Sequence, residues 1–121
     1  MIQYDPQRRT ITLHTRSTSY QMKIDATGVL LHTYYGEKLR KGDLSRLICP
    51  EDRGFSPNPD EVGVDRTWSL DTQPQEYSSS GVGDFRQPAL EADLADGSHI
   101  VDLRYVNHTV AEGKYTLEGL P

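Results

Sequence analysis

The chain has 121 residues, a net charge of −5 and an apolar fraction of 35%. A domain of this size buries roughly two-thirds of the surface that its unfolded chain exposes, yet so few apolar residues leave little margin against chain entropy. The composition points to a chain that is partly irregular and packs on something larger, and its acidity argues against a nucleic-acid binder, which presents a basic face.

The first elements are short strands. Ile11, Leu13 and Thr15 alternate with Thr12, His14 and Arg16, and Tyr20, Met22 and Ile24 alternate with Gln21, Lys23 and Asp25; this period of two marks half-buried strands. Asp25-Ala26-Thr27-Gly28 supplies a turn, because Gly reaches positive φ without steric cost. Val29 to Tyr35 is a third run, rich in branched and aromatic residues, and together these pieces predict a meander of antiparallel hairpins. Gly42 to Ile48 has the length of one helical turn, with Asp43 as a plausible N-cap and Pro50 as its stop. The basic residues nearby, Lys38, Arg40, Lys41 and Arg46, are diluted by Glu37 and Asp43 and read as solvated surface.

From about residue 50 to 88 the periodicity lapses. Pro50, Pro57, Pro59, Pro74 and Pro88 fall here with Gly54, Gly63, Gly81 and Gly83, but so do Phe55, Trp68, Tyr77 and Phe85. Disordered linkers are poor in aromatics, so this stretch reads as a long ordered loop that presents side chains. Strand character returns where Leu90, Ala92 and Leu94 alternate with Glu91 and Asp93. Asp96-Gly97 is a hairpin signal, Val101, Leu103 and Tyr105 alternate with Asp102 and Arg104, and a last strand is expected through Tyr115 and Leu117. The predicted fold is all-β: an antiparallel β-sandwich over residues 1–121 with a long ordered loop and at most one short helix.

Catalytic chemistry finds little support. Glycoside hydrolysis needs two carboxyls across the scissile bond; Asp60, Glu61, Asp65, Asp71, Glu76 and Asp84 are available, but nothing in their spacing makes any two converge. His14, His32, His99 and His108 lack a metal-ligand spacing, Ser78-Ser79-Ser80-Gly81 is not a nucleophile elbow, and Gly81-Val82-Gly83 lacks the third glycine and the lysine of a phosphate loop. No cofactor and no metal are expected. The single cysteine, Cys49, rules out an internal disulfide. The start, Met1-Ile2-Gln3-Tyr4-Asp5-Pro6, lacks a secretory pattern, and no apolar window reaches the roughly 18 residues that span a membrane. A cytoplasmic protein is expected, with the sequon Asn107-His108-Thr109 present by chance. What remains suits sugars: aromatic faces for the C–H faces of a pyranose, and planar polar groups for paired hydroxyl bonds. Trp68 with Asp71, and Asp84-Phe85-Arg86, carry that chemistry. Trp68 as loop core and Asp84–Arg86 as a structural ion pair are the competing reading.

Several linked motifs carry a resemblance. They are Phe55-Ser56-Pro57-Asn58-Pro59, Ser69-Leu70-Asp71-Thr72-Gln73-Pro74-Gln75-Glu76-Tyr77 and Gly83-Asp84-Phe85-Arg86-Gln87-Pro88-Ala89, flanked by His32-Thr33-Tyr34-Tyr35-Gly36, Asp43-Leu44-Ser45, Asp102-Leu103-Arg104-Tyr105 and Leu117-Glu118-Gly119-Leu120-Pro121. In this order they resemble the N-terminal domain of glycoside hydrolase family 36, the α-galactosidases of melibiose and raffinose-type sugars. The resemblance implies part of a larger β-supersandwich, followed in the parent enzyme by a (β/α)8 barrel whose two aspartates act as nucleophile and acid/base in a retaining mechanism. That barrel is absent from this chain, so no catalytic residue is carried over, and this part by itself is expected to be inactive. The resemblance also implies a homotetramer in which loops of one N-terminal domain approach a neighbour's active site, with Phe55, Trp68, Asp71, Asp84 and Arg86 as candidate galactoside contacts. The alternatives are a free-standing carbohydrate-binding module and a purely structural oligomerisation element.

Overall fold

A computed structural model describes residues 1–40, 42–52, 54, 62–114 and 119. Four strands form one antiparallel sheet in the order of the chain: β1 (Ile2–Asp5), β2 (Thr10–His14), β3 (Thr18–Ile24) and β4 (Leu30–Glu37). The three predicted strands of the meander are thus present, and β1 joins them at the edge, pairing Gln3 with Thr12. The predicted turn before β4 also forms. Asp25 Oδ1 accepts hydrogen bonds from the Val29 amide and the Thr27 hydroxyl, both at 2.8 Å, and Gly28 takes a φ of 86°.

The two faces of β3 divide differently from the expectation. Alternation marks Gln21 and Lys23 as the wet side, yet Gln21 is 1% exposed and Ser19 is fully buried, together with Thr12 and Thr33 on the neighbouring strands. Backbone groups of Leu39, Gly42 and Leu44 satisfy this polar face. Gln21 Nε2 donates to Thr12 Oγ1 at 3.0 Å and to the Gly42 carbonyl at 2.9 Å, while its Oε1 accepts from the Leu44 amide at 2.8 Å. Ser19 Oγ accepts from the Leu39 amide at 2.8 Å. Buried polar groups are tolerated when paired in this way. Thr33 sits at a register shift opposite Gln21 and Met22, and its hydroxyl returns to the Gln21 carbonyl at 2.8 Å.

The apolar core is small. Val29, Leu31 and Leu70 are buried together, with Ile48, Trp68 and Val82 packed against them. It sits between the start of β4 and the long loop, so the loop supplies half of the core. Among the described residues the one helical element is a 3-10 turn, Ser45–Leu47. Its N-cap is Leu44 rather than Asp43: the Asp43 carboxylate bonds the Ser45 amide at 2.8 Å but no side chain caps the turn.

The strands expected at 90–94 and 101–105 do not form. Only the Asp96-Gly97 turn is realised, by bonds from the Gly97 amide to the Leu94 carbonyl and from the Leu94 amide to the Ser98 carbonyl. Instead of pairing with each other, the two segments bond elsewhere: Val101 N–H donates to the Ser80 carbonyl, Tyr105 N–H donates to the Gly28 carbonyl, and Leu90, in an isolated bridge with Ser79, donates to the Ser78 carbonyl and accepts from the Ser80 amide. Leu94, Ile100, Leu103 and Val106 stay exposed, so the alternation buries no face that would stabilise a ladder. The strand expected through Tyr115 and Leu117 lies outside the described residues.

Candidate functional site

Among the described residues the long loop is ordered by three attachments. The first is to the sheet: Gln75 forms a bridge with Leu31, flanked by the His32 amide on the Pro74 carbonyl at 2.7 Å and the Glu76 amide on the Leu30 carbonyl at 2.9 Å. Residues 74–76 therefore run as a further lane along β4. The second is Trp68, half-buried against the core, whose indole Nε1 donates to Asp25 Oδ2 at 2.8 Å. One carboxylate thus holds the turn before β4 and the loop's only tryptophan.

The third attachment closes the loop on itself. Asp84 has a side chain only 1% exposed. Its Oδ1 accepts from the Arg86 amide at 3.0 Å and Arg86 Nε at 2.8 Å; its Oδ2 accepts from Arg86 Nη2 at 2.8 Å and Gln75 Nε2 at 2.7 Å. The same Nη2 reaches the carbonyls of Leu70 and Gln73 at 2.9 and 2.7 Å. Burial pushes the Asp84 carboxyl up, but the hydrogen bonds and charge of Arg86 outweigh it and hold the group below the usual range. The hydrogen bond from Arg86 to Asp84 in turn raises the guanidinium's pKa.

This clamp decides which sequence candidates face solvent. Asp84 is spent on structure, and Trp68 on the core and Asp25. Arg86 keeps half of its side chain exposed, and Phe85, between the two clamp residues, is 80% exposed. Asp71 lies close enough to raise the Arg86 pKa and accepts a hydrogen bond from the Ser69 hydroxyl. The structure therefore brings together Phe85, Arg86 and Asp71 on a braced loop: a flat apolar ring, a fork of donors and a carboxylate. Phe55 lies outside the described residues, as do Asp60 and Glu61.

Two features escaped the sequence. A groove of about 170 Å³ runs between the start of β4 and residues 103–105, with Gln75, Tyr77, Arg104 and Tyr105 among its walls. On the other side of the 74–76 lane, the Tyr20 hydroxyl donates to Glu76 Oε1 at 2.5 Å, and His32 Nδ1 lies 3.6 Å from Glu76 Oε2, a buried oxygen that makes no hydrogen bond. Burial and the Glu76 carboxylate push the Tyr20 phenol up to about 12. Residues distant in sequence meet here, and no local pattern announces them.

The described residues thus form a four-stranded meander whose long loop is braced by the Asp84–Arg86 clamp, and the sequence that builds them is matched by a known family. The chain belongs to the glycosyl hydrolase family 36 N-terminal domain, whose family model matches residues 28–121. It is 47% identical over 118 residues to the bifunctional alpha-galactosidase/sucrose kinase AgaSK of Mediterraneibacter gnavus, an alignment covering 98% of this chain and 12% of that protein. It is 43% identical over 120 residues to the alpha-galactosidase AgaA of Geobacillus stearothermophilus, covering 99% of this chain and 16% of that one. Among solved structures, the galactosidase domain of AgaSK superposes with a TM-score of 0.92 at 46% identity, covering 100% of this chain and 17% of its own. The family 36 alpha-galactosidase AgaB of Geobacillus stearothermophilus gives 0.83 at 45% identity, over 100% of this chain and 16% of its own. The chain thus spans about one-sixth or less of the relatives it matches, and corresponds to their non-catalytic N-terminal portion.

Proposed function

We propose that this chain is the N-terminal part of a retaining, cytoplasmic α-galactosidase that removes terminal α-linked galactose from oligosaccharides of the melibiose and raffinose type. The observation that carries the reading is the match along nearly the whole chain to the corresponding portion of enzymes named alpha-galactosidases, one of whose solved structures is a complex with raffinose. The acid/base chemistry belongs to a catalytic barrel elsewhere in the parent protein. This part serves assembly of a homotetramer and the shape of the substrate pocket. Phe85, Arg86 and Asp71 form the face offered to the barrel or a neighbouring subunit, with Trp68 bracing the loop and Phe55 a further candidate for contact with the sugar.

A chimaera tests this reading. This chain replaces the matching segment of AgaA, and raffinose hydrolysis is measured on the purified protein. Soluble, correctly assembled chimaera with activity near that of AgaA is the expected result; soluble and assembled chimaera without turnover would overturn the assignment. The chain on its own should leave an aryl α-galactoside untouched. Turnover that follows it through purification and vanishes in Asp71→Ala would show that the chemistry resides here instead.

A further inference from the structure

Among the described residues, Glu76 Oε2 is the only buried side-chain polar atom that lacks a hydrogen bond. A buried acceptor left open costs free energy, more so on a charged group, so this oxygen calls for a donor. The backbone on both sides is fixed. The Glu76 amide donates to the Leu30 carbonyl at 2.9 Å, the His32 amide donates to the Pro74 carbonyl at 2.7 Å, and Gln75 bridges Leu31 between them. From β3 the Tyr20 hydroxyl holds the other oxygen, Oε1, at 2.5 Å. The carboxylate is thus pinned across β3, β4 and the 74–76 lane.

His32 Nδ1 lies 3.6 Å from Oε2, outside hydrogen-bond range. The register shift of β4 brings it there: His32 pairs with Met22 and stands edge-on to Tyr20 at a centroid distance of 5.0 Å. A neutral imidazole carries its single N–H on either nitrogen, whereas the imidazolium carries one on both. Proton uptake therefore guarantees a charged donor at Nδ1. Such donors draw in to about 2.7–2.9 Å from a carboxylate oxygen, a closure of about 1 Å that a small ring rotation supplies. The His32 side chain is 38% exposed and so meets solvent protons. The other titratable groups at the ring are Tyr20 and, 6.0 Å from it, Tyr35; Tyr20 keeps its proton up to about 12. Among the described residues no lysine or arginine forms an ion pair with Glu76, and no second carboxylate with His32.

We infer that His32 and Glu76 form a proton-operated latch: when His32 takes up a proton, its Nδ1–H closes onto Glu76 Oε2 and fastens the 74–76 lane to β4. Between the ordinary carboxylate and imidazole ranges, about pH 4.3 and 6.5, the latch is closed, and it opens as pH rises through the upper limit. Gln75 carries the effect onward, because its Nε2 donates to Asp84 in the clamp beside Phe85 and Arg86. The consequence for sugar contacts rests on the function proposed above; the latch does not.

A double-mutant cycle tests it. His32→Gln, Glu76→Gln and the double variant are unfolded in urea beside the unmodified chain at pH 5.5 and 8.0. Coupling between the two positions should change the unfolding constant by about fivefold at pH 5.5, the size for a partly exposed charged pair, and should fall to near unity at pH 8.0. A purely structural contact would couple them equally at both. Hydrogen exchange on the unmodified chain gives a second readout. Relative to a free peptide at the same pH, the His32 and Glu76 amides should be protected more at pH 5.5 than at pH 8.0, and the gain should be absent in His32→Phe, which keeps a ring but takes no proton. Neither measurement involves a sugar, so each stands apart from the chimaera assay. Coupling that is absent at pH 5.5 or undiminished at pH 8.0 would overturn the latch, as would protection that ignores pH or a gain that survives in His32→Phe.

Discussion

Replacing Asp84 by alanine probes the clamp that orders the long loop. The carboxylate accepts four hydrogen bonds, three of them from Arg86, in a side chain only 1% exposed. Removing one member of a buried ion pair costs about 3–5 kcal/mol when the other charge is stranded. Here Arg86 is half-exposed and Nη2 keeps the carbonyls of Leu70 and Gln73, so water recovers part of the loss. We expect about 2–3 kcal/mol, or a fall in Tm of about 10 °C for a domain this size. Asp84→Asn should cost about half as much, because the amide keeps one acceptor oxygen. The sign with pH is fixed: the folded carboxyl titrates below its unfolded value near 3.9, so the stabilisation is fully present above that value and is lost as pH falls through the lowered one. The difference in Tm between the parent chain and Asp84→Asn should therefore shrink on acidification below about pH 4. Thermal melting followed by circular dichroism reads both quantities. An Asp84→Ala variant that melts within a degree or two of the parent chain would refute the clamp.

Three further perturbations address other contacts. Trp68→Phe keeps apolar bulk but loses the bond to Asp25 and should cost about 1 kcal/mol in urea unfolding, whereas Trp68→Ala should cost about 3 kcal/mol through lost packing. Gly81→Ala meets both a φ of 83° and a Cβ only 2.9 Å from Ile100 Cα, and should lower stability by about 2 kcal/mol; an unchanged melt would mean that residues 99–101 yield. In an ultraviolet pH titration Tyr20 should ionise late, near 12, and that late step should vanish in Tyr20→Phe. Because the folded value is raised, the stability tied to the Tyr20 proton is complete below about pH 10 and is lost as pH rises through 12.

The meander was legible because its signals are local. The Asp25-Gly28 turn and the runs around Ile11, Tyr20 and Val29 each state their own conformation. β1 was not legible: it is four residues long, ends at Pro6 and leaves Ile2 and Tyr4 largely exposed, so no apolar period stands out. The failure at 90–105 has the opposite cause. There the period exists, but strands need partners, and the backbone groups of Ser78, Ser80 and Gly28 supply scattered bonds and no continuous ladder. At the candidate site, the run Asp84-Phe85-Arg86 stands out in the sequence, but only the surroundings divide it into a buried brace and an exposed tip. Tyr20, Glu76 and Gln21 carried no signal, because their partners lie up to 56 residues away.

The polar seam beneath β3 has a consequence for how the fold finds its alignment. On the apolar side of β3, Tyr20, Met22 and Ile24 succeed one another at every second position, so sliding the strand by two residues exchanges one apolar group for another at modest cost. The other side does not permit that exchange. A slide by two would bring Ser19 or Lys23 to the place of Gln21, and neither can donate to Thr12 and Gly42 while accepting from Leu44. Each misaligned sheet would leave several buried groups unpaired, at about 1–3 kcal/mol apiece. The apolar residues make the sheet worth forming, and one buried glutamine discriminates the correct pairing from its near neighbours.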